Sequence, residues 1–193
     1  MKKILIGTHN KGKFKEISHL ISKKYKKISP ITLNIKKSPK ETGKTFISNS
    51  RLKAKFFSQF VNYSVISDDS GLCIKALNNK PGIHSARLAN KHGGFLRAMK
   101  FILNEMSNKK NRSATFVCSL SYKNEAGKII SVEGKILGKI SKKIKGTKGF
   151  GFDPIFIPNK RKKTFAQMTK KKKIEMDHRS IAFKKLMKKI KTL

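Results

Sequence analysis

The pattern of apolar and polar positions switches several times between strand-like and helix-like spacing along the chain. A short apolar run at residues 4–7 predicts a buried strand, and helical spacing at residues 12–24 predicts the helix that follows it. Helical spacing recurs at residues 45–60, where Thr45 is placed to cap the helix, and again at residues 94–106. Shorter apolar runs at residues 30–35 and 65–66 predict two further strands.

The second half of the chain predicts a long hairpin. Apolar runs at residues 114–122 and 128–140 predict two strands, joined by a turn at residues 124–127. Residues 150–158 contain two prolines and predict an extended segment, and the spacing at residues 180–190 predicts a terminal helix. Strands that alternate with helices, with a hairpin added, predict a mixed α/β fold.

The length and charge of the chain limit its class. A chain of 193 residues fits one domain, residues 1–193, and the formal net charge of +37 first suggests a nucleic-acid partner. Only six of the 47 basic residues are arginine, however, and the lysines are spread along the whole chain. Proteins that grip phosphate backbones usually rely on the bidentate arginine side chain. Most of this charge is therefore interpreted as solvated surface, with no specific nucleic-acid partner and only weak, salt-sensitive adherence.

The cysteines and apolar runs bear on the compartment. Cys73 and Cys118 are the only cysteines, both in apolar runs and without metal-ligand spacing, which suits a reducing cytosol. The apolar stretch near the N-terminus is too short for a signal peptide. No run approaches the roughly 20 apolar residues that span a bilayer. The sequence predicts a soluble cytoplasmic protein without a membrane partner.

An acidic pair gives the first candidate chemistry. The chain has only ten acidic residues, and Asp68 and Asp69 are adjacent, directly after an apolar run and before Ser70-Gly71. Adjacent carboxylates repel each other unless a cation or water is close. Hard oxygen ligands at a strand end suit a magnesium ion that carries the phosphates of a nucleotide. The competing interpretation is an Asp-rich surface turn.

A loop after the first strand gives the second candidate. It opens the first predicted helix, and backbone N–H groups at a helix start, with lysines and a glycine, form a phosphate cradle. The glycine spacing is not that of a Walker A loop. An ordinary strand-to-helix turn is the alternative. The loop residues are Thr8, His9, Asn10, Lys11, Gly12 and Lys13.

Two later segments suggest a nucleobase site. Phe150, Gly151, Phe152 and Asp153 combine aromatic faces with backbone freedom and one carboxylate, which suits stacking and reading of a purine. A glycine-bulged strand with core phenylalanines explains the same pattern. Lys173 and the pair His178-Arg179 precede the last predicted helix, where a solvated helix entry is the alternative.

Together these segments resemble the inosine triphosphate pyrophosphatase family, and the resemblance covers nearly the whole chain in order. No single motif is decisive, but seven in register are specific. The motifs are Thr8-x-Asn10-x-x-Lys13, Glu41-Thr42-Gly43-x-Thr45-Phe46, Leu52-Lys53-Ala54, Ser67-Asp68-Asp69-Ser70-Gly71-Leu72, Pro81-Gly82-Ile83-x-Ser85-Ala86-Arg87, Gly149-Phe150-Gly151-Phe152-Asp153-Pro154 and His178-Arg179.

The resemblance implies a fold and an activity. It implies an elongated mixed β-sheet flanked by helices, with two lobes and a nucleotide-binding cleft between them, in a likewise implied homodimer. The implied reaction is Mg²⁺-dependent hydrolysis of ITP, dITP and XTP to the monophosphate and pyrophosphate. Such an enzyme removes deaminated purine nucleotides from the nucleotide pool.

The resemblance also implies roles for the residues. Asp69 is the implied catalytic base and a metal ligand, with Glu41 and Asp68 as further metal ligands. The implied phosphate-binding residues are Thr8, His9, Asn10, Lys11, Gly12, Lys13 and Lys53. The implied nucleotide-binding residues are Ser70, Phe150, Gly151, Phe152, Asp153, Lys173, His178 and Arg179, with the last two near the base.

This sequence departs from the family pattern in three places. Ser48-Asn49-Ser50 stands where Glu-Asn-Ala is common, so one carboxylate is missing, and His84 replaces a common tyrosine. The residues after Arg87 are also atypical, which weakens any role for Arg87. Two alternatives remain: a Maf-like pyrophosphatase, which the His178-Arg179 pair argues against, and a basic nucleic-acid-binding protein.

Overall fold

A computed structural model describes residues 1–190. Within this range the chain forms seven strands, which alternate with helices for most of its length. The strands are β1 (Lys2–Ile6), β2 (Tyr25–Ile28), β3 (Val65–Ile74), β4 (Lys80–Pro81), β5 (Ser113–Lys123), β6 (Ile129–Ile140) and β7 (Phe156–Pro158). The α-helices are α1 (Lys11–Leu20), α2 (Phe46–Phe57), α3 (Ser85–Lys91), α4 (Phe95–Glu105), α5 (Lys170–Ile174) and α6 (His178–Ile190).

The strands join in one sheet in the order β2-β1-β3-β5-β6-β7, with β4 paired to β3. β1 pairs in parallel with both β2 and β3, so that Leu5 lies opposite Val65. β4 and β7 pair antiparallel with β3 and β6. Parallel and antiparallel pairs in one sheet, with interleaved helices, confirm the predicted mixed α/β class.

The chain divides into two compact units, which are described separately. The first unit contains residues 1–69, 118–134 and 179–190. Because side chains alternate across a strand, β1 packs on both faces. Ile4 and Ile6 pack with residues of α1, β5 and α6, whereas Leu5 packs with Val65 and Phe57.

The second unit contains residues 70–117 and 135–178. Its core joins the end of β3 to α4, β5 and the segment around β7. Phe116 and Phe156 lie at its centre, with ring centroids 4.5 Å apart, and Phe165 packs against both. The prediction of a single domain for residues 1–193 stays a prediction.

The helices and the hairpin predicted from spacing are confirmed, with shifts of a few residues. Thr45 caps α2 as predicted, because its hydroxyl accepts the Ser48 N–H and the Ser48 hydroxyl accepts the Thr45 N–H. The first helix ends at Leu20, before the predicted boundary.

Three predicted elements are wrong. Residues 30–35 form a 3₁₀ turn instead of a strand, because Pro30 and the left-handed Asn34 curl the backbone, and the strand is Tyr25–Ile28 instead. The strand predicted at residues 65–66 continues to Ile74, so the acidic pair lies inside β3 and not in a turn. The extended segment at residues 150–158 contains a 3₁₀ turn, and only its end is β7.

Two further differences concern helices and thiols. The helices α3 and α5 were not predicted, because each is shorter than the roughly 11–18 residues over which helical spacing is read. Cys118 is buried and Cys73 is partly exposed, and neither forms a disulfide. Among residues 1–190, none of the helices is both long and apolar enough to span a bilayer.

Candidate active site

The loop after β1 forms the start of α1 in the first unit. Asn10 is the N-cap, and its side-chain oxygen accepts the Lys13 backbone N–H at 3.0 Å. The Asn10 N–H in turn donates to the Thr8 hydroxyl at 3.2 Å. Asn and Thr are therefore needed here for local geometry, because they satisfy N–H groups that a helix start leaves unpaired. The loop places the Lys13 side chain on the first turn of α1.

His9 is held by the neighbouring segment. Its Nδ1 lies 2.8 Å from the Ser38 hydroxyl and its Nε2 lies 2.7 Å from the Ile35 carbonyl oxygen. The ring also contacts Phe57, with centroids 5.7 Å apart. Because both ring nitrogens have protein partners, His9 supports the loop. Its predicted contact with phosphate stays a prediction.

Asp68 is a fully buried carboxylate compensated by cations. Its Oδ2 lies 3.2 Å from Lys13 Nζ and 3.3 Å from Arg179 Nη2. Burial alone would raise the pKa of Asp68, but Lys13, Arg179 and Lys53 together hold the pKa well below its ordinary value. Asp68 is therefore a permanent anion that orients Lys13. Its predicted role as a metal ligand stays a prediction.

Arg179 completes this network from α6. The side chain is only 1% exposed, and its second guanidinium nitrogen, Nη1, binds Glu16 on α1. The bidentate geometry of a guanidinium lets one arginine join Asp68 and Glu16. Glu16 was not predicted. The position of Glu16, three residues after Lys13 and on the buried side of α1, is the signal that indicates this residue.

Lys53 joins two further carboxylates. Its ammonium lies 2.5 Å from Glu41 Oε1, 3.2 Å from Asp69 Oδ1 and 3.1 Å from the Asp68 carbonyl oxygen. Burial would lower the pKa of Lys53, but Asp69, Asp68 and Glu41 raise it above its ordinary value. Lys53 therefore stays charged and holds the oxygens of Glu41 and Asp69 near one point.

Asp69 differs from its neighbour in its proton affinity. Burial raises the pKa of the Asp69 carboxyl above its ordinary value, with Glu41 and Asp68 acting in the same direction and Lys53 and Lys13 opposing them. Two adjacent carboxylates thus have pKa values pushed apart by their surroundings. Such a difference is typical of sites that need one fixed charge and one proton acceptor.

The predicted residues of the second unit form a separate cluster. Lys173 Nζ lies 2.5 Å from Asp153 Oδ2, which also accepts the Phe150 backbone N–H at 2.9 Å. The ammonium lies 4.9 Å from the Phe150 ring centroid and 5.4 Å from that of Phe165. Gly149 has a φ of +76°, and a Cβ there would collide with the Asp153 carboxylate. Glycine is therefore required for this turn.

Two predicted base-binding residues lie in packed surroundings. The Phe152 side chain is 2% exposed and lies edge-to-face with Phe95, 5.1 Å between centroids. Its ring is thus packed in the core, as the alternative interpretation held, and its predicted contact with the nucleotide stays a prediction. His178 begins α6 instead of preceding it, and its ring stacks on Phe116 with centroids 4.9 Å apart.

The motif at residues 81–87 supports the strand that carries the acidic pair. The Ser85 hydroxyl accepts the Leu72 N–H at 2.9 Å and donates to the Gly82 carbonyl oxygen at 2.7 Å. A Cβ on Gly71 would collide with that same carbonyl oxygen. The motif therefore has a structural explanation. Ser70 is half-buried and stands between Asp69 and Gly71 in the sequence.

The carboxylates can be compared with the needs of a metal ion. Among residues 1–190, no group of three or more His, Cys, Asp or Glu side chains is arranged to hold a metal. Mg²⁺, however, is commonly held by one or two carboxylates together with substrate phosphates and water. Glu41 and Asp69 already share one cation, Lys53. The donor chemistry of this pair suits Mg²⁺.

Comparisons with known proteins identify the family of the chain. The model of the Ham1 family matches residues 4–189. A Bacillus subtilis protein named dITP/XTP pyrophosphatase is 37% identical over 191 residues, covering 97% of this chain and 96% of that protein. A Borreliella burgdorferi protein of the same name is 40% identical over 197 residues, with 97% and 96% coverage.

Solved structures give the same relationship. The Staphylococcus aureus Ham1 protein superimposes with a TM-score of 0.87 at 35% identity, covering 98% of each chain. A Mycobacterium abscessus structure described as nucleoside-triphosphatase and dITP/XTP pyrophosphatase gives a TM-score of 0.76 at 32% identity, covering 96% of this chain and 98% of that one.

Proposed function

The chain belongs to the Ham1 family, and from that premise we propose that it hydrolyses deaminated purine nucleoside triphosphates to the monophosphate and pyrophosphate. The substrates are ITP, dITP and XTP, and the cofactor is Mg²⁺. The observation that carries the proposal is the partly buried cluster in which Lys53 joins Glu41 and Asp69. The names of the relatives from Bacillus subtilis and Borreliella burgdorferi support the substrate class.

The triphosphate is proposed to bind in the first unit. Hydrolysis between the α and β phosphates needs several negative charges neutralised at once. Lys13 and Lys53 supply two cations, and the N-terminus of α1 supplies backbone N–H groups and the positive end of a helix dipole. Thr8 and Asn10 fix this loop before substrate binds. The cradle is therefore organised in advance, which reduces the cost of ordering it in the transition state.

Glu41 and Asp69 are the proposed holders of Mg²⁺. When bound there, the ion neutralises phosphate charge and polarises the phosphoryl oxygens. Asp68 is less suited to this task, because Lys13 and Arg179 already compensate its charge. Asp68 serves instead to place the Lys13 ammonium.

Asp69 is the proposed base for the attacking water. The pKa of its carboxyl is raised by burial, so it accepts a proton more readily than an ordinary aspartate does. Lys53 and Lys13 oppose that increase in the pKa of Asp69. The proton moves from water to an Asp69 oxygen while the oxygen of that water attacks the α-phosphorus. The bond between the α-phosphorus and the bridging oxygen breaks, and pyrophosphate leaves with that oxygen.

Selection of the base is assigned to the second unit. The oxygen at position 6 of hypoxanthine or xanthine accepts a hydrogen bond, whereas the amino group of adenine donates one. Lys173 can offer a donor, and Phe150 an aromatic face beside it. His178 is the other candidate. Arg179 is the weaker candidate for direct contact with the base, because its guanidinium binds Glu16 and Asp68.

A homodimer in the cytoplasm is part of the proposal. The dimer follows from the resemblance, and the two cysteines, which form no disulfide, suit a reducing compartment. Light scattering coupled to size-exclusion chromatography is expected to give twice the chain mass of 21.9 kDa. A mass of one chain at micromolar concentration contradicts the dimer.

The reaction itself is tested by identifying the products. With ITP and Mg²⁺ in ¹⁸O-labelled water, we expect IMP and pyrophosphate, with the label in IMP only. Asp69→Asn is expected to lose turnover by about 100-fold or more while keeping its circular dichroism spectrum. The exposed Glu125, in the hairpin turn, provides the matched control Glu125→Gln. Release of single phosphates, or an active Asp69→Asn protein, contradicts the proposal.

A further inference from the structure

Asn49 is a fully buried polar residue that the proposed reaction has not yet used. It lies on α2, one helical turn before Lys53 and on the same side of the helix. Its Oδ1 accepts the Gly43 backbone N–H at 2.8 Å, and its Nδ2 donates to Asp69 Oδ2 at 3.3 Å. One side chain therefore joins the loop before α2 to the acidic pair.

The chemistry of the two partners fixes the orientation of this amide. A backbone N–H only donates, so the amide oxygen must face Gly43. A carboxylate only accepts, so the amide NH₂ must face Asp69. Aspartate has the same shape as asparagine but would present an oxygen to both partners. Only the amide satisfies both ends at this position.

The contact divides the oxygens of Asp69 between two neighbours. Asn49 binds Oδ2, while Lys53 lies 3.2 Å from Oδ1. The Asp69 carboxylate is therefore held in one rotation, with Oδ1 on the side of Lys53 and Glu41. Hydrogen bonds of this kind set the direction of a carboxylate before it binds a metal or a proton.

The other end of Asn49 acts on Glu41. Gly43 is two residues after Glu41, and the Glu41 carboxylate lies 2.5 Å from Lys53 Nζ. A Cβ on Gly43 would lie 2.6 Å from Asn49 Oδ1, closer than a real contact allows. Glycine is thus needed for the loop to reach the amide, and the amide in turn holds the loop that carries Glu41.

We propose that Asn49 is a positioning residue that sets the Asp69 carboxylate and the Glu41 loop in one arrangement. The inference rests on the proposed hydrolysis and adds a determinant of its rate and metal affinity. Asn49 touches neither substrate nor the reacting atoms; it acts through Asp69 and Glu41.

The test uses two variants of Asn49 and one matched control. Asn49→Asp keeps the shape and the contact with Gly43 but places two oxygens against each other at Asp69. Asn49→Ala removes both contacts. Ser50→Ala is the control, because Ser50 is equally buried on the same helix but bonds to Ser119 and Ser121, at 2.9 and 2.7 Å.

Four quantities are measured: kcat for ITP, KM for ITP, Mg²⁺ binding without nucleotide by calorimetry, and the unfolding temperature. For Asn49→Asp we expect a 10- to 100-fold lower kcat and weaker Mg²⁺ binding, with a KM for ITP that changes far less. Asn49→Ala is likewise expected to lower kcat and to weaken Mg²⁺ binding. Ser50→Ala is expected to unfold at a lower temperature with unchanged kcat and Mg²⁺ binding.

The outcomes separate the two proposals. If the unaltered protein releases no pyrophosphate from ITP, dITP or XTP, the proposed function fails, whatever the variants do. If it is active and either folded Asn49 variant keeps its kcat and Mg²⁺ binding, the positioning role is overturned. A loss of kcat in Ser50→Ala equal to that of Asn49→Ala also overturns it, because helix stability then explains both effects.

Discussion

The buried arginine of α6 gives a prediction about stability. Arg179 is 1% exposed and binds two carboxylates, those of Glu16 and Asp68. We predict that Arg179→Met lowers the free energy of unfolding by about 3–5 kcal/mol, because removing one partner of a buried ion pair leaves an uncompensated charge. Methionine fills most of the space of the arginine stem, so the loss reports the guanidinium and not a cavity.

The size of the effect follows from burial. Asp68 is fully buried and Glu16 is 7% exposed, so water cannot replace the lost cation. In a chain of this length each kcal/mol shifts the unfolding temperature by about 2–4 °C. The variant is therefore expected to unfold roughly 10 °C below the unaltered protein.

The difference in stability between Arg179→Met and the unaltered protein also depends on pH. Burial alone would raise the pKa of Asp68, but Lys13, Arg179 and Lys53 lower it well below its ordinary value. A carboxyl whose pKa is lowered in the folded state adds stability that is fully present above its unfolded pKa, about 3.9. That stability is lost as the pH falls toward the folded pKa. The gap between Arg179→Met and the unaltered protein is therefore widest above about pH 4 and narrows below it.

Thermal unfolding followed by circular dichroism from pH 3 to pH 8 measures both effects. Arg161→Met is the matched control, since Arg161 is exposed and its replacement is expected to leave the unfolding temperature unchanged. The double variant Glu16→Gln with Arg179→Met is expected to lose less stability than the two single losses added together. A loss under about 1 kcal/mol, or full additivity, refutes the view that this ion pair holds α1 to α6.

Three further predictions concern single groups in the two clusters. NMR titration of Asp69 without metal is expected to give a midpoint above the ordinary aspartate value. Lys53→Met should raise this midpoint further, because Lys53 is the cation that most strongly opposes the increase in the pKa of Asp69. A lowered midpoint contradicts the assignment. Gly71→Ala is expected to cost about 1–3 kcal/mol in urea unfolding, because its Cβ would collide with the Gly82 carbonyl oxygen, and unchanged stability disproves that contact. Lys173→Met is expected to raise the KM for ITP more than it lowers kcat, and an unchanged KM removes Lys173 from the base site.

The sequence predicted elements whose signal is local. Thr45 marked the start of α2, and the turn at residues 124–127 marked the hairpin, because capping and turn chemistry depend on adjacent residues. The strand at residues 30–35 was predicted from composition alone. It failed because a proline and a left-handed asparagine determine the backbone there, and the true strand β2 gains its place by pairing with β1.

The acidic pair shows what tertiary packing adds. Its motif indicated the site, but the structure places Asp68 and Asp69 inside β3, where successive side chains point to opposite sides. Asp68 therefore meets Lys13 and Arg179, while Asp69 meets Lys53 and Asn49. Two chemically identical residues thus acquire opposite pKa shifts, which no local pattern can predict.

The residues that sequence reasoning missed are partners at long separation. Glu16 binds Arg179, 163 residues away, and Asn49 binds Asp69, 20 residues away. Neither residue is unusual in its own neighbourhood. Phe152 shows a limit of local patterns, because an aromatic ring in a glycine-rich segment has the same pattern whether it stacks on a base or packs in a core.

Substrate selection is the most direct test of the proposed function. The measurement is kcat/KM for pyrophosphate release, with Mg²⁺, from dITP, XTP and ITP against dATP, dGTP and the pyrimidine triphosphates. We predict that the values for the three deaminated purine nucleotides exceed that for dATP by about 100-fold or more, because a site built for an oxygen at position 6 rejects an amino group. Equal values for dITP and dATP, or no pyrophosphate from any of them, would contradict it.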